Sequence, residues 1–131
     1  MTVVFNKAAP AQLVEVHAAQ LAEKLGAGDQ TTKSQLRRFY QEYLSLRNNT
    51  RYGGDEAYKE NEVAIKMLIS KAEYASGRQG SNLPREFTDW LKKNLKAIKS
   101  KEDVETFGQY FEAFLGFFYG AQKKSRGGEG R

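Results

Sequence analysis

Residues 104–121 read VETFGQYFEAFLGFFYGA. Within this stretch fall Phe107, Tyr110, Phe111, Phe114, Phe117, Phe118 and Tyr119. A helix on a protein surface needs one apolar stripe. Here the aromatic rings cover most of the circumference, which predicts a helix buried on several sides. Gly108, Gly116 and Gly120 lie on nearly one line at multiples of four. Such a line would let a second backbone come close, despite the cost of glycine in a helix interior. Gln109 and Glu112 interrupt the apolar run. The run is also shorter than the ~20 residues a membrane span requires, so no membrane segment is read here.

Working outward, amphipathic patterns predict four further helices. Leu13, Val14, His17, Leu21 and Leu25 repeat at helical spacing, with Pro10 suited to the first turn and Gly26 to the stop. Thr32-Lys33-Ser34-Gln35 has capping-box form and opens a second helix, whose buried face is Leu36, Phe39, Tyr40, Tyr43, Leu44 and Leu46. The stretch NNTRYGG, residues 48–54, reads as a turn-rich break. A third helix is expected over 55–76, with Ala64, Ile65, Leu68, Ile69, Ala72 and Ala75 inward and acidic residues at its start. Pro84 opens a fourth, with Phe87, Trp90, Leu91, Leu95 and Ile98 as its core face. Ser100-x-x-Asp103 then caps the aromatic helix. No strand-like alternation or internal repeat is visible. The expectation is an all-α, compact bundle of about five helices with an aromatic-rich C-terminal helix and no sheet. It forms one domain over 1–122, with 1–9 a loose arm and 123–131 a disordered basic tail.

Chemistry of an enzymatic kind finds little footing. His17 is the one histidine and sits on or beside an apolar stripe, where a packed or half-exposed structural role is expected. Carboxylates are scattered among lysines, and Glu60 and Glu62 read as exposed helix charge. The glycines of the aromatic helix lack the Gly-Lys-Ser/Thr ending of a phosphate loop. Cysteine is absent, so disulfides and thiolate metal sites are excluded. No catalytic residue, metal or cofactor is expected. A reducing cytoplasm fits this composition, and no secretory signal is read in MTVVFNKAAP.

The net charge is +5, which favours an anionic partner. Helix two and the loop after it hold Lys33, Arg37, Arg38, Arg47 and Arg51 against Glu42 alone. Helix three carries Lys66 and ends with Lys71, Tyr74 and Arg78, spaced three and four apart on one stripe. Cations there would meet phosphates, and the ring a base or sugar. The competing reading is a solvated helix face. That reading is kept for Arg85, Lys92, Lys96 and Lys99 of helix four.

Two stretches and their order carry a resemblance. Thr31-Thr32-Lys33-Ser34-Gln35-Leu36-Arg37 leads into a helix. Ile65-Lys66-Met67-Leu68 runs on to Lys71-Ala72-Glu73-Tyr74-Ala75-Ser76-Gly77-Arg78, and Tyr110-Phe111-Glu112-Ala113 follows. Together, over about Thr31 to Gly120, they resemble the small subunit of type III-A CRISPR effector (Csm) complexes. The resemblance implies a small all-helical protein that is no enzyme. It would stack in several copies along the guide RNA and the target RNA, touch other subunits of the complex, and support target RNA capture in antiviral defence. It assigns RNA contact to Arg37 and Arg78, with Lys71 and Tyr74 between them, and extends that role to Lys33, Arg38, Arg51 and Lys66. Arg37 could equally brace the fold on a carboxylate. Another possibility is a helical protein–protein adaptor whose aromatic helix binds a partner and whose basic charge is incidental.

Overall fold

The computed structural model describes residues 2–26, 30–78 and 83–129, with the side chains of 30 and 121–129 outside the description. A short 3-10 turn, Phe5–Lys7, precedes five helices. Helix α1 is one helical run over 10–25, built from Pro10–Gln12, a widened π-type turn at Leu13–His17, and Ala18–Leu25. Then follow α2 (Gln30–Tyr52), α3 (Ala57–Gly77), α4 (Arg85–Ala97) and α5 (Lys101–Glu129). No strand occurs among the described residues. The loop expected at 79–82 falls outside the described residues, as do the side chains of the basic tail at 123–131.

The aromatic helix is the axis of the core. Phe107, Tyr110, Phe111 and Phe114 are wholly buried, and Phe118 nearly so. Trp90 of α4 is fully enclosed, its ring centroid 5.1 Å from that of Phe107, 5.2 Å from Tyr110, 5.5 Å from Phe111 and 5.4 Å from Phe114. Edge-on and tilted rings at such separations add to the gain from area burial alone. Phe87, Leu91, Leu95 and Ile98 complete the inner face of α4 as its spacing requires. Phe117 is the aromatic of α5 that stays out, at 41% exposure.

Several local readings need correction. The break expected at 48–54 is helix as far as Tyr52. Thr50 is buried and its hydroxyl donates to the Leu46 carbonyl. Arg51 reaches across to Glu105 on α5. These contacts hold the segment in helix against its turn-forming composition. The break is confined to residues 53–56, beginning at Gly53 and Gly54; a methyl on Gly53 would lie 2.7 Å from the Ala57 Cβ. Helix α2 starts at Gln30, so Thr32 lies within its first turn rather than at the cap, and is buried.

Of the loose arm expected over 1–9, the described residues 2–9 are tied to the core through Val3 and Phe5. Phe5 is buried, its amide donates to Asn94 Oδ1 at 2.8 Å, and the Tyr110 hydroxyl donates to the Val3 carbonyl at 2.8 Å. The glycine line admits no second backbone among the described residues. A methyl on Gly108 would meet the Arg47 and Tyr43 side chains at 3.3 and 3.5 Å, while Gly116 and Gly120 face open space. Ala64, expected inward, is exposed beside Val63 and Met67.

The cap of α5 forms as read. The Asp103 amide donates to Ser100 Oγ, and the Asp103 carboxylate accepts from the Lys99 amide at 2.9 Å. No helix among the described residues is long and apolar enough to cross a membrane.

Candidate nucleic-acid interface

The first half of α2 is held from both sides. On one side, the Tyr119 hydroxyl of α5 donates to the Lys33 carbonyl at 2.9 Å, and the Arg37 guanidinium lies 5.5 Å from the Tyr119 ring centre. A cation over a ring face at this distance is attracted by the ring quadrupole. On the other side, Arg38 turns toward the end of α3. Successive residues on a helix point about 100° apart, so the two neighbouring arginines spread over adjoining flanks of one exposed ridge.

Arg38 and Arg78 both line an open cleft of about 400 Å³, together with Thr31, Ser34 and Gln35. Arg78 sits just past the end of α3, its guanidinium 5.9 Å from the ring centre of Tyr74, which is 69% exposed. Lys33, Arg37, Arg38 and Arg78 make no ion pair with a carboxylate among the described residues. Their charge is therefore available to an external anion.

The other three cations to which the resemblance gives an RNA contact, Lys71, Arg51 and Lys66, have partners inside the molecule. Lys71 lies 3.0 Å from Glu42 of α2, an exposed pair that links α2 to α3. Arg51 makes a two-pronged bond to Glu105, with Nε 2.8 Å from Oε2 and a second contact from the terminal nitrogen to Oε1. That bond holds the Glu105 carboxyl below its usual range. Lys66 turns inward. Its ammonium donates to the carbonyls of Leu95 at 2.6 Å and Ile98 at 2.7 Å. It thereby satisfies the C-terminal carbonyls of α4, where the helix dipole favours a cation. Desolvation there lowers the Lys66 pKa. Arg51 and Lys66 thus stand apart from the open face, because each is committed to a partner on a neighbouring helix. In α4, Arg85 and Lys92 both bond Glu73, whose carboxyl Arg85 holds low.

A family model described as Csm2 Type III-A matches residues 8–123, most of the chain. The chain belongs to the Csm2 Type III-A family. It is thereby a small subunit of a type III-A CRISPR effector, part of a complex with other subunits, from a family whose small subunit is structural. No curated protein and no solved structure matches it.

In this Csm2-family chain the sequence motifs and the open face coincide at Lys33, Arg37, Arg38, Tyr74 and Arg78. Sequence reasoning missed two contributors. Tyr119 was legible only as one more aromatic, and nothing local ties it to residues 33 and 37. Ser34 reads as part of a cap, whereas it lines the cleft. His17 is half-buried beside Leu21 and Lys24 in a separate small cleft, and its Nδ1 is buried with no hydrogen-bond partner among the described residues. It contributes nothing to the basic face.

Proposed function

We propose that this small subunit contacts the phosphate backbone of guide and target RNA through the α2–α3 face, without catalysis of its own. The observation that carries the reading is that Lys33, Arg37, Arg38 and Arg78 gather at the exposed side of α2 and the end of α3 with no carboxylate partner among the described residues, and that two of them line one cleft. Lys71 and Tyr74 border the same face and would join once an RNA displaces Glu42 or offers a base edge to the ring. Sequence would then be read by pairing between guide and target, and the protein would follow the phosphates. Several copies in a row, in the cytoplasm, would add their weak grips through effective concentration and so support target capture in antiviral defence. An open apolar groove of about 660 Å³ between the start of α1 and α5, lined by Pro10, Ala11, Val14, Ala113 and Gly116, supports contact with copies or other subunits.

That groove also favours a second reading, a helical adaptor for which the basic charge is incidental. Against it, the aromatic helix spends most of its rings on its own core. Titration of the full-length protein into labelled single-stranded RNA decides between them. The RNA reading expects an affinity of order ~10⁻⁴–10⁻⁶ M at physiological salt that tightens steeply as salt is lowered. An adaptor shows none even at low salt. RNA incubated with the protein should stay intact with or without divalent metal. Cutting that vanishes on changing a single carboxylate would overturn the non-catalytic assignment.

A further inference from the structure

The Arg38–Arg78 cleft is richer than a phosphate track needs. A phosphate accepts hydrogen bonds and asks only for donors, which two guanidiniums supply in abundance. Yet Thr31 and Ser34 place two hydroxyls on the same flank of α2 as Arg38, two turns and one turn ahead of it respectively. Both residues are exposed, and neither hydroxyl has a hydrogen-bond partner among the described residues. A hydroxyl both donates and accepts. Its complement on a nucleic acid is a group that also does both, and on a sugar-phosphate strand that group is the ribose 2′-hydroxyl. Because each 2′-hydroxyl lies next to its own 3′ phosphate, a phosphate held between Arg38 and Arg78 brings the adjoining sugar to the cleft wall.

We propose that this cleft reads the sugar: Arg38 and Arg78 hold a phosphate, and Ser34 with Thr31 selects RNA over DNA through the neighbouring 2′-hydroxyl. The proposal rests on the RNA-contact reading above and adds a specificity that phosphate contacts alone cannot give. DNA presents the same phosphates to the same arginines but lacks the 2′-hydroxyl, the sugar group that both donates to and accepts from a hydroxyl. The helix supports the test, because alanine at position 34 favours it and valine at 31 keeps the shape of threonine.

The experiment titrates the full-length protein, and its Ser34→Ala/Thr31→Val double variant, against RNA and DNA single strands of one base sequence at one low salt concentration. Thermal melting of both proteins confirms a common fold. The wild-type protein should prefer RNA by about fivefold to tenfold, the latter being the ~1.4 kcal/mol of one good hydrogen bond. The double variant should bind RNA only as well as DNA, with its DNA affinity and salt dependence unchanged. Equal wild-type affinity for the two polymers overturns sugar reading while leaving phosphate contact standing. A variant that loses RNA and DNA affinity alike overturns it too, since the hydroxyls would then serve the phosphate or the fold. Failure of the wild-type protein to bind either polymer overturns the RNA-contact reading and this proposal with it.

Discussion

Salt dependence tests the sorting of cations by partner. Each phosphate neutralised on a single strand contributes about −0.7 to the slope of log K against log salt. Lys33, Arg37, Arg38 and Arg78 have no carboxylate partner among the described residues, so a strand engaging all of them should show a slope of about −3. The double variant Arg38→Ala/Arg78→Ala should bring it to about −1.4. Each charge removed should also weaken binding about fivefold at low salt, from the ~1 kcal/mol of two unit charges 4 Å apart in water. Arg51→Ala and Lys66→Met change the formal charge just as much. Their cations are spent on Glu105 and on the α4 carbonyls, so the slope should stay near −3. The assay is fluorescence anisotropy with a short RNA from about 25 to 200 mM salt, with circular dichroism to verify helix content. If Arg51→Ala flattens the slope as much as Arg38→Ala, net charge rather than placement governs binding and the reasoning fails. If Arg37→Ala and Arg78→Ala unfold the protein, those arginines brace the fold instead.

Other outcomes follow from the same geometry. Phe111→Ala empties a fully enclosed site beside Trp90 and should cost roughly 3–5 kcal/mol in urea unfolding; a negligible loss would mean the core closes only around a partner. Tyr119→Phe keeps the ring under Arg37 and should leave RNA affinity intact, whereas Tyr119→Leu should lower it about two- to fivefold, from the ~0.5–1 kcal/mol of an exposed cation–ring contact. Equal effects of the two variants would exclude a positioning role for the ring. At acid pH, Glu105 is held low by Arg51. Its contribution to stability is present above its ordinary value near 4.5 and is lost as pH falls through the lowered folded value. Glu105→Gln should therefore flatten the acid limb of a melting-temperature profile. At the alkaline end, burial, then the hydrogen bond to Glu62, pushes the Tyr58 phenol up to about 12. Its contribution is full below pH 10 and disappears as pH climbs through about 12, and Tyr58→Phe should shallow that decline.

How much of this could be read beforehand depends on how far away each partner lies. The burial of Phe107, Tyr110, Phe111 and Phe114, and the inner face of α4, follow from spacing alone, because periodicity is a local property that packing merely uses. The Ser100–Asp103 cap is local and was legible for the same reason. The run through 48–52 was not, since its turn residues are overruled by Arg51 binding a carboxylate 54 positions on. Lys66 looked like any surface lysine, and only the approach of α4 turns it into a cap. For the candidate interface, the motifs located the right helices. Separating free cations from paired ones required knowing where Glu42 and Glu105 come to rest.

The cleft works like a calliper whose jaws belong to different rods. Arg38 rides on α2 and Arg78 at the end of α3, so the gap between them depends on how those two helices pack, and both send residues, Leu36 and Phe39 from one and Leu68 and Ala72 from the other, into the one shared core. A change of a single methylene in that layer would open or narrow the jaws without touching an outward-facing residue. Loss of grip on a polyanion can therefore arise deep in the apolar interior, in a protein that still folds, melts almost normally and keeps every positive charge.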